Sequence, residues 1–171
     1  MKKLSKMKLE TGDILSCKKD RLISRIIRFV TRGEYNHTAI YLEIKGEPYI
    51  ADSQAKGTNL IPLKAWEEKW GYSYTVHRKR KINIAKIKKR ALSKVGHTPY
   101  DFGALLHHIH FALFNRWRGK RKEDAKDRMY CSEYVAWVFE LHNWWKTTPQ
   151  ALFDYLEASD EFENMGYFKA K

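Results

Sequence analysis

The sequence predicts an α+β fold in which a small antiparallel sheet, or an open barrel, packs against helices. Three observations predict it. Residues 37–54 alternate like a hairpin, with "HTAIYLEI" and "EPYIADSQ" flanking a two-residue turn at Lys45 and Gly46. Residues 83–96, "NIAKIKKRALSKVG", carry apolar side chains at helical spacing. The stretch from 130, "YCSEYVAWVFELHNWW", is helical in period and apolar on most sides, so it belongs in the interior.

Taken in order, "TGDILSC" reads as a short strand leaving a turn, and residues 21–33 as a helix that ends at Gly33. In the strand that follows, Thr38, Ile40, Leu42 and Ile44 form an apolar face, while His37, Ala39, Tyr41 and Glu43 point the other way. His37 is thus expected off the main core face. If Ile44 pairs with Glu47, the hairpin register sets Ala39 opposite Asp52 and His37 opposite Gln54. Asp52 then shares the face of His37 as a diagonal neighbour, about 7–8 Å away between Cβ atoms. "GTNLIPLKAW" and "YSYTVHRKR" read as further short strands, with Pro62 marking an edge or bend. Ile84, Ile87, Ala91, Leu92 and Val95 form the stripe of the amphipathic helix, and Gly96 its stop. "TPYDFGALLHHIHFALFNRW" reads as a turn followed by a buried helix. In the last helix Ser132, Glu133, Glu140 and Asn143 form a narrow polar strip.

The 171 residues fit a single domain with a working core, residues 1–10 forming a lead and about 116–128 an exposed charged loop. Six Trp, ten Tyr and eight Phe exclude a disordered chain. Two cysteines, Cys17 and Cys131, are too few for a disulfide framework or a four-cysteine zinc site. The N-terminal stretch lacks the apolar core of a signal peptide and no run is apolar enough to span a bilayer, so a soluble cytoplasmic protein is expected. A formal charge of +13 favours anionic partners, either nucleic acid or anionic membrane lipid, without choosing between them.

Cys131 falls in the first turn of its helix, where unpaired N–H groups and the macrodipole favour a thiolate. An ordinary cysteine titrates near about 8.5, and such a site or a neighbouring imidazolium brings it to roughly 3.5–7.5. An imidazole beside it takes the thiol proton and returns a proton to the leaving group, while a third residue holds the ring's tautomer. Cys131, His37 and Asp52 supply those three residue types. From spacing alone, an inert packing cysteine is the stronger reading, because most buried cysteines are packing residues.

The stretches "TGDIL" (11–15), "RGEYNHTAIYLE" (32–43), "EPYIADS" (47–53), "NLIPLKAW" (59–66), "GHTPYDF" (96–102), "MYCSEYVAWVFE" (129–140) and "TPQALFDY" (148–155) occur in an order that resembles the circularly permuted NlpC-like papain-fold hydrolases, the YiiX-like group. In that group the histidine strand precedes the cysteine helix. The resemblance implies a papain-like domain and a cysteine hydrolase, an amidase or peptidase acting on a peptide-like, amide or acyl bond through a thioester. It implies Cys131 as nucleophile, His37 as base and Asp52 as orienting residue, with no cofactor. Related sequences carry Glu where this chain has Asp52, one methylene shorter, so Gln54 or a water is an alternative partner for the ring. A lipid acyltransferase, or a basic binding module for nucleic acid or anionic lipid with a silent triad, are the other functions open.

Tyr35 and Tyr130 are candidates to line a substrate cleft or donate to an oxyanion, against the plainer reading of buried tyrosines with satisfied hydroxyls. His107, His108 and His110 lack the three or four converging ligands that zinc requires, so no metal site is expected. Asp13 and Asp101 read as turn or capping residues. The basic runs at 77–90 and 116–128, with Trp117 between arginines, offer phosphate contacts but no sequence-reading motif. Cys17 has no evident companion base and reads as structural or exposed.

Overall fold

The structure, a computed structural model, describes residues 8–19, 33–99, 101 and 128–169. Six strands form one open antiparallel sheet in the order β4-β3-β2-β1-β5-β6: β1 (Ile14–Lys18), β2 (His37–Ile44), β3 (Glu47–Gln54), β4 (Gly57–Pro62), β5 (Ser73–Lys79) and β6 (Phe162–Phe168). Among the described residues four helices accompany it: α1 (Leu63–Trp70), α2 (Ile84–Leu92), α3 (Cys131–Val138) and α4 (Pro149–Ala158). The fold is α+β with an open sheet, not a barrel. The helix expected at 21–33, the one expected after Asp101, the His107, His108 and His110 cluster and nearly all of the 116–128 loop fall outside the described residues. Among the described residues no helix is long and apolar enough to cross a membrane.

The β2–β3 register is the one the hairpin pattern predicts, Ile44 pairing with Glu47 and Ala39 with Asp52. Lys45 and Gly46 take positive φ at the turn (52° and 82°), as a two-residue hairpin loop requires. Both sheet faces are covered. The larger core joins Ile14, Ile40, Leu42 and Ala51 to Tyr134, Val135 and Val138 of α3 and Leu152 and Leu156 of α4. The other face, expected to be off the core, packs Leu15, Cys17, Ala39, Tyr41, Ile50 and Val76 against Trp66 of α1. The alternating pattern of β2 is therefore weak because both of its faces are apolar.

Two elements depart from the sequence reading. "NLIPLKAW" is a strand that turns into a helix: Pro62, extended at φ −52° and ψ 135°, is the N-cap of α1, and Gly71 closes it in the left-handed region at φ 53°. The cysteine helix ends at Val138; Glu140 and Asn143 take positive φ and a 3-10 turn, Trp144–Lys146, follows. Ser132 and Glu133 are fully buried instead of forming a polar strip. The Glu133 carboxylate accepts the Tyr130 N–H at 2.9 Å, one half of a capping box, and Ser132 Oγ donates to the Thr147 carbonyl. Asp13 serves as the expected turn residue, accepting the Glu10 N–H at 2.8 Å, and also receives the forked guanidinium of Arg78.

Candidate active site

One end of the sheet gathers the chemistry. β2 begins with His37, β3 ends with Asp52, Ser53 and Gln54, and Cys17 of β1 lies directly opposite His37. Cys131 is the first residue of α3, 1% exposed. Its approach is fixed from two sides: Met129 donates its N–H to the Pro99 carbonyl at 3.2 Å, and its own carbonyl accepts Ser53 Oγ at 2.7 Å. The chain just before Cys131 is thereby tied to the strand that carries Asp52. α3 then packs across β2 and β3, which carries its N-terminal turn to the end of β2.

His37 and Asp52 meet directly, Nε2 to Oδ2 at 3.0 Å, so the shorter side chain of Asp52 reaches the ring without a bridging group. The same Oδ2 accepts the Trp66 indole N–H at 2.8 Å and the Gln54 amide at 2.5 Å. Gln54 thus holds the carboxylate and not the ring. Tyr72 stacks on the imidazole, ring centroids 5.2 Å apart and planes 13° from parallel. With Nε2 engaged by Asp52, Nδ1 is the ring nitrogen not committed to the carboxylate. Burial alone lowers the His37 pKa; the negative charge of a Cys131 thiolate, then the hydrogen bonds to Asp52 and Cys131 and the Asp52 charge, outweigh it and push the imidazole up to about 10.

Residues 8–165 match the model of the permuted papain-like amidase enzyme family, YaeF/YiiX, C92. The chain belongs to this family. Among solved structures, metalloprotein YiiX from Escherichia coli O157:H7 is similar in fold, with a TM-score of 0.57 at 20% identity over 94% of this chain and 98% of that chain. No curated protein sequence matches. Among the described residues no three His, Cys, Asp or Glu side chains are grouped so that they could hold a metal ion.

Around the core of this amidase-family site, the other sequence candidates take different places. Tyr35 is engaged by other residues: its ring stacks on Phe153 of α4 with centroids 4.0 Å apart, and its hydroxyl lies 2.8 Å from Thr75 Oγ1. Tyr130 is the N-cap residue of α3, 2% exposed, immediately before the cysteine. Cys17 is fully buried, its Sγ donating to the Leu15 carbonyl at 3.4 Å. Burial raises its pKa well above the ordinary value, and the charges of Asp52 and Cys131 add to that. Cys17 is therefore a thiol beside the site, not an exposed one. Trp66 and Tyr72 were not singled out from the sequence. A buried tryptophan needs a partner for its N–H, which was the available signal for Trp66. Its partner was not legible, because α1 swings back over the sheet only after Pro62.

Proposed function

We propose that the chain is a cysteine amidase in which Cys131 attacks a peptide-like or related amide carbonyl. The observation that carries this reading is an imidazole oriented by a buried carboxylate at 3.0 Å, on strands that the Ser53–Met129 hydrogen bond ties to the chain entering a helix whose first residue is Cys131. The Cys131 thiolate adds to the carbonyl carbon, and the oxyanion that develops is met by the backbone N–H of Cys131 at the start of α3. The His37 imidazolium then gives its proton to the leaving amine, the C–N bond breaks and a thioester remains. Neutral His37 takes a proton from water as its oxygen attacks the thioester, releasing the carboxylic acid and returning thiolate and imidazolium. Asp52 acts as a positioning residue: its carboxylate fixes Nε2–H as the donor and keeps Nδ1 aimed at sulfur.

A panel of acyl amide and thioester reporters tests this reading. Cys131→Ala is expected to abolish turnover, and His37→Ala to lower kcat by at least about a hundredfold. Turnover that survives Cys131→Ala overturns it.

A further inference from the structure

Between Glu68 and Asp101 the chain carries ten Lys and Arg and no Asp or Glu. Several of these cations are spent within the fold. Arg78 is bound by Asp13 and Glu10, Lys79 by Glu161, and Lys86 and Arg90 by Glu140. Lys81, Lys88 and Lys89 have no ion-pair partner among the described residues, and all three lie on or just before α2. The inner side of α2 is fixed: Ile87 and Ala91 are buried, the Asn83 side chain caps the Lys86 N–H at 2.9 Å, and the Ala91 carbonyl accepts the Tyr134 hydroxyl at 3.1 Å. Its outer side is neither plainly polar nor covered. Ile84 is 48% and Leu92 37% exposed, two of the three large apolar residues that stand out into solvent among the described residues. Residues 84, 88 and 92 follow at i, i+4 and i+8, so Ile84, Lys88 and Leu92 form one stripe, with Ala85 and Lys89 on the next row.

We propose that this outer stripe of α2, Ile84, Lys88 and Leu92 flanked by Lys81, Ala85 and Lys89, is a docking face for the surface of an anionic lipid bilayer. The charge is complementary, because unpaired lysines are attracted to acidic headgroups and each strengthens binding. The aliphatic side chains decide between polyanions. Ile84 and Leu92 leave water when a helix lies flat at the boundary of headgroups and acyl chains, with lysine stems along the apolar surface and ammonium groups in the headgroup layer. A nucleic-acid backbone uses the lysines but gives Ile84 and Leu92 no apolar phase to enter. A second copy of the same face is repelled by its own charge. The proposal is independent of the chemistry at Cys131, since none of these six side chains belongs to that site.

Co-sedimentation of the full chain with phosphatidylcholine vesicles, with and without phosphatidylglycerol, tests it. Binding is expected to be at least about tenfold stronger with the anionic lipid and to weaken as salt rises. Lys81→Gln/Lys88→Gln/Lys89→Gln is expected to weaken that binding by about tenfold or more. Ile84→Ser/Leu92→Ser, which leaves the charge unchanged, is expected to weaken it by about tenfold. The proposal is overturned if the two vesicle types bind alike. It is also overturned if Ile84→Ser/Leu92→Ser binds anionic vesicles as wild type does, which would leave a general polyanion surface; a DNA duplex bound equally by both proteins, and more tightly than the vesicles, would then identify nucleic acid as the partner.

Discussion

Asp52 Oδ2 receives three hydrogen bonds, from His37, Trp66 and Gln54, so its position is over-determined by three different elements. Because the carboxylate is fully buried, each donor matters more than it would at a surface. Trp66→Phe deletes the N–H that Asp52 accepts and leaves a cavity where the larger indole was fully buried. It is expected to cost at least about 2 kcal/mol in urea denaturation, without a change of slope, and to lower turnover by loosening the carboxylate. Asp52→Asn keeps the shape but can present its amide to the ring, favouring the wrong tautomer. A fall in kcat of roughly a hundredfold or more, with little change in KM, is expected from steady-state kinetics. The same residues show what a sequence reveals at this scale. His37 and Asp52 were legible as a pair because a two-residue turn at Lys45 and Gly46 fixes the hairpin register, and the register fixes the face. Trp66 and Tyr72 were not, because no periodicity relates a helix that follows β4 to the strand face it covers.

The segments that end β3 and begin β4 show how loops hold the site. Gly57 has φ +99°, and a Cβ there would stand 2.7 Å from the Thr98 carbonyl oxygen. That carbonyl accepts the Thr58 N–H, and the Thr58 carbonyl accepts the Gly96 N–H, both at 2.9 Å, which ties the exit of α2 to the end of the sheet. Gly57→Ala combines backbone strain with a clash against main chain. A loss of at least about 2 kcal/mol in denaturant midpoint analysis is expected, where Gly46→Ala, with open space around it, bears only the strain. Helix ends were harder to read than helix existence. The apolar run through residue 145 concealed the stop at Val138, because burial continues past it: Leu141 and Trp144 stay in the core while the backbone turns. Glu133 looked like surface and is a buried cap, a role that depends on which residue begins the helix.

Over the whole molecule, two packed sheet faces bury two histidines with opposite electrostatic consequences. His77, fully buried on β5, lies 2.8 Å from Glu157 Oε1; burial lowers its pKa below 6.5, and Glu157 only partly offsets that. The unfolded chain therefore takes up this proton first as pH falls, so the stabilisation from neutral His77 is present above about 6.5 and is lost progressively below it. Thermal denaturation is expected to show Tm falling from pH 7 to pH 5, with His77→Gln destabilising less at the lower pH. His37 is the reverse case: burial lowers its pKa, but Cys131 and Asp52 outweigh that and push it up to about 10. The chain matches a permuted papain-like family over residues 8–165, and the proposed mechanism requires Cys131 and His37, 94 positions apart (131 minus 37), to meet. Titration of the His37 ring by NMR, in wild type and in Cys131→Ala, reads that meeting directly. A wild-type ring that stays protonated well above 6.5, toward about 10, and titrates markedly lower once the thiolate is removed, is the outcome expected. A ring that titrates at or below 6.5 in both proteins would contradict it.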